Sequence, residues 1–99
     1  MDKVEIFKQI EQAMLSLYKK KNKDYGDSFG KSFEEYGLVV SAIRIEDKLN
    51  RLKSLISLGD LKDIEEKKEV KDESVYDTLI DLANYSVMTL IELNLRKHI

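Results

Sequence analysis

The sequence has 99 residues, room for one domain, and a chain of this size buries roughly 60 to 70% of its unfolded surface, so its core is thin. Charged residues make up 36% and nearly balance, 17 Lys plus Arg against 19 Asp plus Glu, and the net charge of -2 argues against a dedicated non-specific DNA binder. Cysteine is absent, which excludes a disulfide framework, thiolate metal sites and a thiol nucleophile.

The opening MDKVEIFKQIEQ is charged and amphipathic where a secretory signal needs an apolar block, and no segment approaches the ~18 to 20 apolar residues of a membrane span. A soluble, cytoplasmic, single domain over residues 1–99 is expected. The one histidine, His98, is the penultimate residue, too near the chain end to centre a triad or a multi-histidine metal site.

Proline is absent, and Gly26, Gly30 and Gly37 fall in one stretch, with Gly59 apart from them. These breaks leave three long segments of helical period, so an all-α fold of three main helices is expected. The first, about Asp2 to Lys20, repeats Val4, Phe7, Ile10, Met14, Leu17 and Tyr18, with Asp2 placed to cap it and one face expected to be buried. It runs into a lysine-rich end, where Gly26 suits the left-handed turn that stops a helix. That lysine run reads as a solvated helix end or as an anion site. The second segment, about Phe33 to Leu58, has an apolar line through Leu38, Ala42, Ile45, Leu49, Leu52 and Ile56, which is expected to face the core. On a neighbouring arc Arg44, Asp47, Lys48 and Arg51 sit at offsets of three, four and seven, beside Val40 and Leu55. Residues 60–72 are almost wholly charged and read as a solvated connection. The third segment, from about Glu73 to Lys97 with Asp72 or Ser74 as cap, is the most apolar and should be the most buried.

Between Val75 and Ile91 the ionisable groups besides two tyrosines are Asp77 and Asp81. At ~100° per residue, Glu73, Asp77, Asp81 and Asn84 share about a quarter of the helix circumference, with apolar residues around most of the rest. Carboxylates in such a setting require a positive partner. Arg44, Lys48 and Arg51 on the preceding helix are one candidate, in an internal network such as Arg51 to Asp77 or Asp81. A divalent cation such as Mg2+, which takes carboxylate oxygens and keeps waters for substrate phosphates, is the other.

Three blocks in order, Lys23-Asp24-Tyr25-Gly26, then Arg44 through Leu52 (RIEDKLNRL), then Asp72 through Tyr85 (DESVYDTLIDLANY), resemble the small nucleotide-modification-associated domain of phages and bacteria. That family is similar to the all-α nucleoside triphosphate pyrophosphatases of the MazG and dimeric dUTPase group. The resemblance implies an oligomeric, MazG-like helical bundle whose acids hold Mg2+ while cations clamp phosphates, releasing nucleoside monophosphate and pyrophosphate. Carried to this chain, Asp47, Asp77 and Asp81 would be catalytic. Asp47, Glu73, Asp77 and Asp81 would hold metal, and Lys23, Arg44, Lys48 and Arg51 would meet phosphates. Tyr25 would stack on a base and Asn84 would read its edge. Tyr36, Tyr76 and Tyr85 are expected to be packing residues. Two departures shift the balance from hydrolysis towards binding: Asn50 stands where the pyrophosphatase pattern expects an acid, and Asp77 and Asp81 are four apart rather than three. The alternative function is a non-catalytic protein that sequesters a nucleotide, such as a cyclic signal of host defence. A third is a helical assembly factor whose charges set register. The expected partners are a nucleotide and further copies of the chain, with no membrane and no nucleic acid.

Overall fold

A computed structural model describes residues 2–57 and 71–97, all of it helix and short turns. Gly59, residues 60–70 of the charged connection, and His98 lie outside the described residues. The four described helices are α1, Lys3–Tyr25, α2, Ser28–Tyr36, α3, Leu38–Ser57, and α4, Lys71–Leu95. The all-α expectation holds, with one helix more than the three anticipated. None of these helices is long and apolar enough to cross a membrane.

The additional helix arises in the glycine-rich stretch. Asp2 caps α1 by accepting the Glu5 amide at 2.8 Å, and the helix closes on Gly26 in the left-handed region at φ 57°. Asp27 follows at φ 57°, a conformation Asp tolerates better than most side chains, so two residues reverse the chain and α2 begins at once. Gly30 lies inside α2, where a Cβ would run into the Asp27 carboxylate. Gly37 ends α2 at φ 74° and ψ -155°, a region open essentially to glycine alone. Gly37→Ala should therefore lower stability by about 1–3 kcal/mol in a denaturant melt through backbone strain alone. The space around a Cβ there is empty, so crowding adds nothing.

Helix α4 is the axis on which the others pack. Ser41 meets Thr89 and Lys48 meets Asp81, so α3 runs antiparallel to α4. Met14 meets Asn84 and Lys21 meets Asp81, so α1 does too. The Thr89 hydroxyl lies 2.7 Å from both Ser41 Oγ and the Tyr85 carbonyl. Since the carbonyl only accepts, Thr89 donates to it and accepts from the buried Ser41 hydroxyl, which leaves that pair satisfied.

The core is Phe29, Phe33 and Val40, with Tyr85, Met88 and Leu93 packed against them. Phe29 stands 6.2 Å from Phe33 and 5.8 Å from Tyr85 in tilted ring contacts. Arg96 closes this end of the bundle: its guanidinium lies 4.9 Å from the Phe33 ring centre, donates to Glu92 at 2.7 Å and reaches Glu34 of α2 at 2.5 Å. The hydrogen bond to Glu92 is the main cause holding the Arg96 pKa above its ordinary value. The pair also satisfies Glu92, which is only 7% exposed.

Three expectations fail. The stripe of α1 is not a buried face: Val4 and Phe7 are both 66% exposed, and only Met14, Leu17 and Tyr18 are half-buried. On α3 the expected line is buried only in part: Ile45 and Leu52 are half-buried while Leu38, Ala42, Leu49 and Ile56 are exposed, and the buried apolar residues are Val40 and Leu55, on the arc that carries the charges. The charged arc turns towards α4 because α4 offers it polar partners, Asp81 to Lys48 and Thr89 to Ser41. Finally, α4 already includes Lys71, so Asp72 and Ser74 lie within it and do not cap it.

Candidate functional site

The inward charged arc of α3 and the acidic stripe of α4 enclose a hollow of about 420 Å³. Arg44, Asp47, Lys48 and Arg51 line it from α3, and Asp77, Thr78, Asp81 and Tyr85 line it from α4. One helical stripe from each side supplies every charge, which is why the spacing in the sequence brought these groups together.

A second hollow of about 360 Å³ adjoins it. Here α1 contributes Tyr18, Lys21, Asn22 and Tyr25, and α2 contributes Ser28, Phe29 and Ser32. Arg44, Asp81 and Tyr85 line both hollows and so form the wall between them. One chamber is dominated by charge, and the other by rings, hydroxyls and amides.

The ion pairing is specific. Asp81 Oδ2 lies 3.0 Å from Lys48 Nζ, and Asp81 Oδ1 lies 3.4 Å from Lys21 Nζ. The internal network of Arg51 with Asp77 or Asp81 does not form. Among the described residues neither Arg44 nor Arg51 has a carboxylate partner, and both are exposed along the charged hollow.

Of the phosphate-binding candidates, Arg44, Lys48 and Arg51 meet in one hollow and Lys23 lines neither. Lys21, not Lys23, lines the aromatic hollow and reaches Asp81. Helical period carries the signal: Lys21 and Tyr25 fall within ~20° of Met14 around α1, whereas Lys23 falls ~180° away. Tyr25 lines the aromatic hollow and is 67% exposed, standing on the last turn of α1 and not in a loop. Asn84 also lines it, but its amide nitrogen donates to the Met14 carbonyl at 3.3 Å, so that group ties α4 to α1. Tyr85, expected only to pack, both packs on Phe29 and walls the two hollows. Tyr36 and Tyr76, also expected to pack, are 63% and 49% exposed.

The residues expected to hold Mg2+ are Asp47, Glu73, Asp77 and Asp81. Asp47, Asp77 and Asp81 line the same hollow, yet among the described residues no three carboxylates gather closely enough to hold an ion. Asp81 has a lysine ammonium against each oxygen. The side chain of Glu73 lies outside the described residues.

Fold and hollows together define an all-helical domain with a mixed-charge cleft opening beside an aromatic one. The family model described as nucleotide modification associated domain 1 matches residues 21–93. The chain belongs to that family, and the match covers both helices of the charged hollow. No curated protein and no solved structure matches the chain.

Proposed function

We propose that this chain binds a nucleotide across the two hollows, with the phosphates on Arg44, Arg51 and Lys48 and the base in the aromatic chamber against Tyr25 and Tyr85. The observation that carries the reading is the shared wall: a cationic chamber and a ring-lined chamber meet at Arg44, Asp81 and Tyr85. Two arginines without a carboxylate partner among the described residues suit an incoming polyanion, since guanidinium forks match phosphate oxygens. A base stacked on an aromatic ring contributes about 1–3 kcal/mol and tolerates sequence or base variation. The family description points in the same direction.

The second reading is hydrolysis of a nucleoside triphosphate to monophosphate and pyrophosphate, as in MazG-like enzymes, with Mg2+ and Asp47, Asp77 and Asp81. It is favoured by Asp47 and Asp77 lying on the charged hollow with no ion-pair partner among the described residues. Binding ranks first because Asp81 already has a lysine ammonium against each oxygen while Arg44 and Arg51 have no carboxylate partner among the described residues.

Thermal melting against nucleoside triphosphates, deoxynucleotides and cyclic nucleotides, with Mg2+ and then with EDTA, separates the two. A ligand at a hundred times its Kd adds about 2.7 kcal/mol of stability. Binding predicts stabilisation that survives EDTA and returns the ligand intact. Released monophosphate and pyrophosphate, lost in Asp77→Asn, would instead establish hydrolysis. No stabilisation by any nucleotide would remove both readings.

The same chain is proposed to assemble with copies of itself. Among the described residues five apolar side chains are buried, while Val4 and Phe7 of α1 and Leu38, Leu49 and Ile56 of α3 stand exposed in helical rows. Exposed apolar rows of this kind are what a subunit that closes its core against others presents. Sedimentation at micromolar concentration should return a multiple of the chain mass, and Leu49→Glu should reduce it; a monomer would contradict the assembly.

A further inference from the structure

We propose that Asp81 is a built-in stand-in for a ligand phosphate, holding Lys21 and Lys48 until a diphosphate or triphosphate takes the two ammonium groups over. The identity of the anion rests on the nucleotide-binding reading above. The geometry of the exchange stands on the residues themselves.

Each Asp81 oxygen addresses one lysine, at 3.4 Å for Lys21 and 3.0 Å for Lys48, and the lysines come from different helices, α1 and α3. A phosphate with oxygens on two sides would make the same pair of contacts. The carboxylate is mostly enclosed, 19% exposed, whereas the Lys21 and Lys48 side chains are 52% and 31% exposed, so the ammonium groups can turn to an incoming anion. The Lys21 contact is the longer and the more solvated, which makes it the first to yield.

Asp81 also walls both hollows beside Arg44, where a phosphate chain bound by Arg44 and Lys48 would run. Its negative charge therefore opposes the ligand twice, by repelling the phosphates and by occupying two of their cations. The same carboxylate also tethers α1 to α4, one of two polar ties between these helices among the described residues, the other being Asn84 to the Met14 carbonyl. A bound phosphate would inherit that tether. Asp81 is thus a residue that restrains affinity, the opposite of a ligand-holding acid.

Calorimetric titration with inorganic pyrophosphate tests this in the parent chain, Asp81→Asn and Lys21→Gln. Removing one full charge from beside a polyanion is expected to tighten pyrophosphate binding by roughly tenfold or more and to steepen its salt dependence. Lys21→Gln should weaken it several-fold. Equal or weaker binding by Asp81→Asn overturns the proposal; if that variant does not fold, unchanged binding by Lys21→Gln does so. A parent that binds nucleotide with no gain in Asp81→Asn sinks this inference alone. A parent that binds no nucleotide, beside an Asp81→Asn variant that gains pyrophosphate, sinks the nucleotide reading alone.

Discussion

Replacing Arg44 and Arg51 together by alanine is expected to weaken nucleotide binding by at least about a hundredfold while leaving the fold in place. Hydrogen bonds to charged groups contribute about 1.5–3 kcal/mol each, so two arginines account for about 3–6 kcal/mol, and every ~1.4 kcal/mol is a factor of ten in Kd. The fold should survive because both residues are exposed and neither has a carboxylate partner among the described residues, so no buried acid is stranded. Lys48→Ala is a poorer test, since it also strips Asp81 of its nearer partner. Calorimetric titration of the double variant, alongside its melting curve, checks the expectation. Affinity within a few-fold of the parent would place the phosphates somewhere other than the charged hollow.

The largest effect on stability is expected at Phe33. It is 4% exposed, it faces Phe29 across 6.2 Å, and the Arg96 guanidinium that links α2 to α4 sits over its ring. Phe33→Ala should cost about 3–5 kcal/mol, a large part of the total stability of a domain with so few buried apolar side chains. At ~4 to 8 °C per kcal/mol for this size, the melting temperature should fall by more than about 12 °C. A loss of only a few degrees would mean that the aromatic cluster is not what holds α2 against α4.

How far the sequence could be read depended on which side of each helix had a partner. Period alone placed Arg44, Asp47, Lys48 and Arg51 on one arc and Asp77, Asp81 and Asn84 on another, and these arcs do face one hollow apart from Asn84, which looks into its neighbour. Period could not say that the charged arc of α3 would turn towards α4 and leave Leu38, Ala42, Leu49 and Ile56 of the apolar line exposed. That outcome depends on tertiary complementarity: Asp81 on α4 is met by Lys48 of α3 and Lys21 of α1, and Asn84 by the Met14 carbonyl of α1. Helix α2 was hidden because three glycines within twelve positions read as a loop, although Gly30 sits in mid-helix and only Gly26 and Gly37 use the freedom of a positive φ. Following the α1 stripe from Met14 through Tyr18 one turn further leads to Lys21 and not to Lys23. Lys48 is one of the cations the acidic stripe calls for and it does meet Asp81, whereas the sharing of Asp81 with Lys21, sixty positions away along the chain, has no signal in the period.

The most direct measurement is an amide NMR titration of the intact chain with a nucleoside triphosphate in EDTA. The largest shift changes are expected at Tyr25, Phe29, Arg44, Arg51, Asp81 and Tyr85, the residues that line the two adjoining hollows. Saturating shifts confined to those positions would locate the ligand astride the shared wall. An unchanged spectrum, or changes gathered on the outward apolar row of α3 instead, would contradict nucleotide binding at this site.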